Sequence, residues 1–264
     1  MDTKSFKSGL GEGAAVVVTC VADGQWHALD ADVVVGRGYS ERRPDGRLFV
    51  SVDAWRDETF DLLAGVMVAE LPGPLYTVVD EADVELTAGW LRAGFGVRRR
   101  EWEYVVPTDP AVTGLGGVSV PAGVVVVPAG EADEGLLRAV DREIRAEVEA
   151  SVGWSSMPAE VLARPVGETI VDPSKYAAAS VGDRYVGLIR VVTVNRSRVG
   201  LVAVLAGERR RGIGRALLAH GLGALHRSGI GEAWADVQES NRAASALFEG
   251  VGARSVSSNL ELVR

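Results

Sequence analysis

The sequence contains little of the side-chain chemistry that builds disulfides or metal centres. It has one cysteine, Cys20, and three histidines, His27, His220 and His226. One cysteine cannot form an internal disulfide, and no cysteine or histidine beside it completes a metal-ligand motif. His220 and His226 are six residues apart, a spacing that does not place two side chains on one face of a helix. We therefore expect no metal site.

Long apolar runs are also missing. The longest are strand-sized, as at residues 124–127, whereas a membrane helix needs roughly 20 apolar residues. The first residues include two lysines but no apolar core of signal-peptide length. These absences predict a cytoplasmic protein without a membrane segment.

The chain has 264 residues, of which 47% are hydrophobic and 24% charged, and its net charge is -8. This length suits one large or two small globular domains. The negative charge disfavours nucleic acid as a partner. It would suit a cationic small substrate, although most acidic proteins are simply soluble.

Hydrophobic periodicity in the second half predicts strands alternating with helices. A buried strand at 124–127 and an amphipathic helix at 131–151 come first. Three strands of an antiparallel meander follow, and after them a helix, a strand, a second helix and a last strand. The predicted ranges after the first helix are 176–181, 185–194, 199–205, 213–226, 232–237, 243–249 and 260–263.

The stretch "GERRRGIGRALLAH" at residues 207–220 joins the third meander strand to the next helix. A helix start carries unpaired N–H groups and a partial positive charge, so it binds phosphate. Gly212 and Gly214 remove the Cβ atoms that would keep a ligand from those amides, and arginine supplies forked donors. The stretch predicts a pyrophosphate site. It lacks the Lys-Ser/Thr of a Walker loop and the third glycine of a Rossmann fingerprint.

At these residues the sequence resembles the GNAT superfamily of acyl-CoA-dependent N-acyltransferases. Its signature, Gln/Arg-x-x-Gly-x-Gly/Ala, is matched at 209–214, within "VAVLAGERRRGIGRALL", and "NRAASALFEGVGA" is similar to the family's later helix motif. The resemblance covers residues 124–264 in element order. It implies an α/β (α+β) fold with mixed, mostly antiparallel sheets flanked by helices.

The resemblance also implies a site for acetyl-CoA as co-substrate, with no metal. The strand end would pair with the pantetheine arm, the arginine-glycine loop would hold the pyrophosphate, and the later helix would contact the coenzyme. Asn241 is equally well explained as a helix N-cap. The implied coenzyme residues are Val202, Ala203, Val204, Leu205, Arg209, Arg210, Arg211, Gly212, Ile213, Gly214, Arg215, Asn241, Ser245 and Phe248.

The reaction of this family needs a base, an oxyanion stabiliser and an acid for the departing thiolate. The family's acid is commonly a tyrosine, and the matching position here is Phe248, which has no proton to donate. Three explanations stay open: Tyr176 or Tyr185 replaces it, the thiolate leaves without a dedicated acid, or the domain binds coenzyme without turnover. The candidate bases are Asp236, Glu239, Glu160 and Asp172.

The spacing of matching residues predicts that the first half is a diverged copy of the second. In "YTVVDEADVELTAGWLRAGFG", Asp83, Trp90 and Gly94 lie 158 residues before Asn241, Phe248 and Gly252. Where the second copy has its arginine-glycine loop, the first has "DAWRDETF", with three acids and no glycine. We expect that copy not to bind coenzyme.

The sequence therefore predicts a degenerate N-terminal domain at 1–106, a linker at 107–123 and a coenzyme-binding domain at 124–264. The predicted activity is acetyl transfer to a primary amine of a small molecule. Two alternatives remain, a coenzyme-binding sensor without turnover and an acetyltransferase for protein lysines or N-termini. The oligomeric state and the preferred acyl group stay open.

Overall fold

The computed structural model describes residues 6–7, 16–43, 45–151, 153, 171–193 and 196–264. The strands are β1 (Phe6–Lys7), β2 (Val17–Ala22), β3 (Gln25–Asp30), β4 (Val33–Arg42), β5 (Leu48–Ala54), β6 (Leu75–Asp80), β7 (Gly96–Pro107), β8 (Val124–Val127), β9 (Tyr176–Val181), β10 (Arg184–Val192), β11 (Arg198–Val204), β12 (Glu232–Gln238) and β13 (Arg254–Val263). The helices are α1 (Asp57–Glu70), α2 (Val84–Arg92), α3 (Pro110–Thr113), α4 (Glu134–Ser151), α5 (Ile213–Arg227) and α6 (Arg242–Glu249). None of the helices in the described ranges is both long enough and apolar enough to span a bilayer.

The chain divides into two compact units. The first contains residues 1–100 and 258–264, and the second contains residues 101–257. The segment predicted as a linker lies in the second unit, where Leu115 is buried in the core. The last seven residues belong to the first unit because they pair with β6.

The first unit is a sheet in the order β1-β2-β3-β4-β5-β6-β13. Its described neighbours run antiparallel except β5 and β6, which are parallel where Leu48 pairs with Leu75. α1 packs against β4 and β5 and buries Phe60, Leu63 and Met67. The first unit has its own hydrophobic core, which includes Leu260 and Leu262 of β13.

The second unit is a sheet in the order β7-β12-β11-β10-β9-β8. The parallel pair in its described part is β11 with β12. α5 covers this sheet and buries the whole predicted apolar stripe: Ile213, Leu217, Leu218, Leu222 and Leu225. α4 begins at Glu134, later than the predicted residue 131, because the Asp133 carboxylate caps it by accepting the Leu136 amide at 2.8 Å. The predicted mixed, mostly antiparallel sheet flanked by helices is confirmed.

Positions that the sequence aligns 158 residues apart have the same local structure. Asp83 caps α2 by accepting the Leu86 amide at 2.9 Å, and Asn241 caps α6 by accepting the Ala244 amide at 3.1 Å. The aromatic residues that follow, Trp90 and Phe248, are both buried. The glycines that end the two motifs, Gly94 and Gly252, have φ of 88° and 79°. The two residues of each pair therefore have the same structural role, one at α2 and the other at α6.

The last strand of each half pairs in the same register. Within the first unit, β13 pairs with β6, with Asn259 opposite Asp80. Within the second unit, β7 pairs with β12, with Glu101 opposite Gln238. Both partners of the first pair are offset by 158 positions from their counterparts in the second. The first unit therefore contains the last strand of the second half of the sequence, and the second unit contains the last strand of the first half.

Candidate functional site

The parallel strands β11 and β12 diverge after a single pair. Arg198 is paired with Trp234, whose amide donates to the Ser197 carbonyl at 2.9 Å. On its other side, β11 pairs with β10 along its whole length, up to Val204 opposite Gly187. Among the described residues no further pair joins β11 to β12. The end of β11 therefore presents an open backbone edge, which can pair with an extended chain.

The four predicted pantetheine residues differ in what their backbone groups do. The Leu205 amide donates to the Val186 carbonyl at 2.9 Å, and its carbonyl accepts the Glu208 amide at 2.9 Å. The Val204 carbonyl accepts the Arg209 Nε at 3.0 Å. The amide and the carbonyl of Leu205 are thus both hydrogen-bonded within the protein, and residues 202–204 form the open edge of β11.

The arginine-glycine loop leads directly into α5. Arg210 and Gly212 are left-handed, with φ of 64° and 86°. Gly212 is the N-cap residue of α5 and has no side chain to cap the helix, whose first internal bond runs from the Ala216 amide to the Gly212 carbonyl. The amides at 213–215 therefore point out of the helix start without a capping side chain. A helix end of this kind binds an anion.

Gly214 is not required by the packing of the protein. A Cβ atom placed there would meet only the Val204 side chain, at 3.8 Å, which is ordinary contact. Its φ is not in the left-handed region, whereas Gly212 needs glycine because its φ is 86°. A glycine in the first turn of a helix costs stability relative to alanine. The small residue at 214 thus fits a ligand that approaches the helix start closely.

More arginine side chains than carboxylates surround this loop. Glu147 of α4 accepts the Ala206 amide at 3.0 Å and lies 3.2 Å from Arg209. Glu208 pairs with Arg211 and, at 3.5 Å, with Arg184. Arg210 and Arg215 have no ion-pair partner in the described part of the chain. The guanidinium groups outnumber the carboxylates, so the site favours a polyanion.

α6 brings two predicted residues, Ser245 and Phe248, close to a tyrosine on β7. Asn241 uses its Oδ1 for the cap. The Phe248 ring is buried and stacks on the Tyr104 ring, with 6.2 Å between centroids. The Tyr104 hydroxyl donates to Glu249 at 2.9 Å and interacts with the Ser245 hydroxyl. Burial raises the pKa of Tyr104 above its ordinary value.

The two tyrosines proposed to replace the missing acid are both buried. The Tyr185 hydroxyl accepts the Asp133 amide at 3.0 Å, next to the start of α4. Tyr176 lies in the core of the second unit. This geometry gives Tyr185 a clear structural role in positioning α4.

The candidate bases differ in their surroundings. Asp236 of β12 is paired with Arg198, and its Oδ1 is buried without a hydrogen-bond partner. Glu239 is exposed after β12. A hydrogen bond from the Ser174 hydroxyl, together with Lys175, lowers the pKa of Asp172 to about 2, which makes it a weak base. Glu160 lies outside the described residues.

Several site residues were missed by the sequence analysis. Arg198 pairs with Asp236, and Glu147 holds Arg209. The Arg196 guanidinium lies 3.7 Å from the centroid of the Trp234 ring and 3.1 Å from the Glu103 carboxylate. These partners come from separate elements, so no local motif signals them.

Comparison with known proteins agrees with this geometry. A model of the acetyltransferase (GNAT) family matches residues 145–253. These residues lie within the second unit and include the open strand edge, the arginine-glycine loop and both following helices. This part of the chain is therefore similar to the GNAT acetyltransferase family.

Among curated proteins, the ribosomal protein bS18-alanine N-acetyltransferase of Escherichia coli strain K12 is 32% identical over 90 residues. The alignment covers 30% of this chain and 61% of that relative. The chain thus spans less than two thirds of the length of the curated relative.

Two solved structures share the fold over nearly the whole chain. A GCN5-related N-acetyltransferase from Sphaerobacter thermophilus has a TM-score of 0.63 and 16% identity, covering 93% of this chain and 81% of its own. The tandem GNAT protein from the clavulanic acid biosynthesis pathway has a TM-score of 0.62 and 16% identity, covering 96% of this chain and 84% of its own. At this identity the likeness establishes the fold alone.

Proposed function

We propose that this chain transfers an acetyl group from acetyl-CoA to a primary amine of a small molecule. The observation that carries the proposal is the open edge of β11, which leads directly into the uncapped start of α5. An open strand edge pairs with an extended, amide-containing arm, and an uncapped helix start binds phosphates. Acetyl-CoA carries a pantetheine arm followed by a pyrophosphate, in the same order as these two features.

The residues around the loop fit that ligand. Backbone groups of 202–204 would pair with the pantetheine arm, and the amides at 213–215 would hold the pyrophosphate. Arg210 and Arg211 add charge-assisted donors at its edge. The free side-chain nitrogen of Asn241 is available to the arm, because only Oδ1 is used by the helix cap. The coenzyme supplies the activated thioester.

Asp236 is the proposed base. Its buried Oδ1 has no partner in the described structure, so it can accept a proton from an ammonium group. Arg198 binds the other oxygen and fixes the carboxylate's orientation. The neutral amine would then attack the thioester carbonyl, and the carbon–sulfur bond would break to release the thiolate.

The thiolate departs without a proton from position 248 in this proposal. Phe248 is buried against Tyr104 and has no acidic group. This observation favours a second candidate function, a sensor that binds acetyl-CoA without turnover. The two candidates differ in whether an amine accelerates thiol release.

The first half is proposed to be a degenerate copy that binds no coenzyme. Its parallel strands β5 and β6 also pair only near Leu48 and Phe49 in the described structure. However, α1 begins with Asp57 and Glu58 and follows no glycine loop. Two carboxylates at a helix start repel the phosphates that the second copy attracts.

Two observations bear on the acceptor class. The net charge of -8 and the carboxylates Asp236 and Glu103 favour a cationic small amine. The name of the curated relative instead favours the N-terminal amine of a protein. A panel containing both kinds of acceptor separates these alternatives.

The test is thiol release from acetyl-CoA, measured with small amines, lysine peptides and peptides with free N-termini, beside calorimetric binding of the coenzyme. Faster release with small amines supports the proposal. Release with peptides alone transfers support to a protein acetyltransferase. Binding without amine-dependent release supports the sensor, and failure to bind removes the coenzyme site.

A further inference from the structure

A second cluster of arginines lies in the first unit, around the hairpin turn between β4 and β5. The turn has the sequence "RRPDGR", and Gly46 adopts a φ of 83° there. The Arg43 amide donates to the Arg47 carbonyl at 2.9 Å, which closes the turn. Arg98 on β7 lies over the same aromatic surface as Arg47. We call Arg43, Arg47 and Arg98, with the rings beneath them, the arginine platform.

Two stacked rings support the platform. The Phe49 and Tyr76 ring centroids are 5.5 Å apart, with 29° between the ring planes. Arg43 lies 3.5 Å from the Phe49 centroid, and Arg98 lies 5.7 Å from the Tyr76 centroid. Arg47 contacts both rings, at 5.7 Å and 5.3 Å. Cation–π contact and packing hold the three guanidinium groups next to one another, so their donors are preorganised.

The carboxylates of this cluster do not balance its cations. Glu261 is buried and pairs with Arg47, Arg98 and Arg99. Asp45 pairs with Arg47 at 2.6 Å. The three guanidinium groups of the platform are thus next to two carboxylates, Asp45 and Glu261.

Arg43 is the member of the platform without a direct ion pair in the described structure. Asp45, Glu261 and Glu41 attract it, but none of the three lies within ion-pair distance of it. Burial, followed by repulsion from Arg47, lowers the pKa of Arg43 below its ordinary value. Taking a cation out of water is unfavourable unless an anion accompanies it. The positive charge of the cluster can therefore be neutralised further by one more anion.

We propose that the arginine platform is a binding site for a small oxyanion ligand, one that carries a phosphate or a carboxylate group. Adjacent guanidinium forks match the planar or tetrahedral oxygens of these groups and bind them by charge-assisted hydrogen bonds. Every member belongs to the first unit, whereas the residues proposed for acetyl-CoA belong to the second. The site therefore gives the first half a binding role that does not depend on the coenzyme loop.

The test is a nuclear magnetic resonance titration of the full chain with inorganic phosphate and, separately, with succinate. The ring resonances of Phe49 and Tyr76 report on the platform. The variant Arg43→Gln removes the charge that has no direct ion pair, and among the described residues the Arg43 side chain makes no hydrogen bond that the fold would lose. The matched control is Arg37→Gln, which makes the same charge change at an exposed site on β4. Arg211→Gln identifies any anion bound at the coenzyme loop.

The proposal predicts that wild type, Arg37→Gln and Arg211→Gln bind the anion at the platform equally. It predicts that Arg43→Gln binds it about tenfold more weakly, as expected for one charge-assisted contact. An effect with phosphate alone identifies a phosphate ligand, and an effect with succinate alone identifies a carboxylate ligand. Ring resonances that respond to neither anion, or an Arg43→Gln affinity equal to that of Arg37→Gln, would overturn it.

Discussion

The Arg209 guanidinium lies 3.2 Å from the Glu147 carboxylate, which also accepts the Ala206 amide at 3.0 Å. A side chain of α4 thus holds both the start of the loop and one of its arginines. The contact orders the loop, but it also places a negative charge beside the proposed pyrophosphate site. The two effects have opposite consequences for coenzyme binding.

Replacing Glu147 by glutamine separates these effects. The amide oxygen of Glu147→Gln can still accept the Ala206 amide, while the negative charge beside the phosphates is gone. We expect acetyl-CoA to bind about two- to fivefold more tightly at low salt, with a smaller gain at high salt. Calorimetry at two salt concentrations measures this.

The control for that variant is Glu143→Gln, which removes a charge from an exposed position on the same helix. It should leave the affinity for acetyl-CoA unchanged. Weaker binding by Glu147→Gln would mean that ordering of the loop outweighs charge repulsion.

Gly214→Ala should separate folding from ligand binding. The protein has space for the added methyl group, and glycine in a helix costs up to about 1 kcal/mol relative to alanine. We expect the free energy of unfolding to stay level or rise, while the affinity for acetyl-CoA falls by about tenfold or more. Denaturant unfolding and calorimetry give the two values.

Gly65→Ala in α1 is the matched substitution, because a Cβ atom at Gly65 would meet nothing within 4 Å. It should stabilise its helix and leave coenzyme binding unchanged. Equal coenzyme affinities for Gly214→Ala and wild type would contradict the close approach of a ligand to the start of α5.

Much of the coenzyme site could be predicted from the sequence because its signals are local. The left-handed Gly212, the apolar stripe of α5 and the Asn241 cap each depend on residues a few positions away. Local spacing is what hydrophobic periodicity and capping patterns report. The mixed, mostly antiparallel sheet followed from the same order of elements.

The pairing of the last strand of each half with a strand of the other half could not be predicted in this way. β7 pairs with β12 and β13 pairs with β6, across more than a hundred residues of sequence. A strand's alternation shows which face is buried but not which strand is its neighbour. For the same reason, the sequence pattern does not predict the contacts of Glu147 with Arg209 and of Phe248 with Tyr104, whose partners lie on separate elements.

Asp236→Asn should act on turnover and not on coenzyme binding. The amide cannot accept the proton of an ammonium group, so kcat should fall about 100-fold if Asp236 is the base. Acetyl-CoA affinity and the unfolding midpoint should be compared with wild type, because Arg198 loses its charged partner in this variant.

Glu232→Gln removes a charge from the exposed start of the same strand and is the matched control. It should keep kcat within about twofold, as surface substitutions away from the reacting groups usually do. A kcat of Asp236→Asn equal to that of Glu232→Gln would assign proton removal to another group.

His220 should make stability depend on pH. Burial, followed by repulsion from Arg227, lowers its pKa below the ordinary 6.5, and attraction to Glu131 offsets this only in part. The unfolded chain then binds more protons than the folded chain between the lowered pKa and 6.5. Stability should therefore rise with pH through this window and be lost as pH falls through the folded pKa.

Urea unfolding between pH 5 and 7 measures this dependence in wild type and His220→Gln. The variant should have a flatter profile, since it has no imidazole to protonate. His226→Gln, one helix turn and a half further along α5, provides the comparison. Identical pH profiles for wild type and His220→Gln would place the pH dependence elsewhere.

The most direct test of the central claim is calorimetric titration of the full chain with acetyl-CoA, followed by thiol release in the presence of amines. The account predicts one coenzyme per chain, because among the described residues only the second half joins an open strand edge to a glycine-flanked helix start. It also predicts thiol release that depends on the amine. No binding, or two coenzymes per chain, would contradict it.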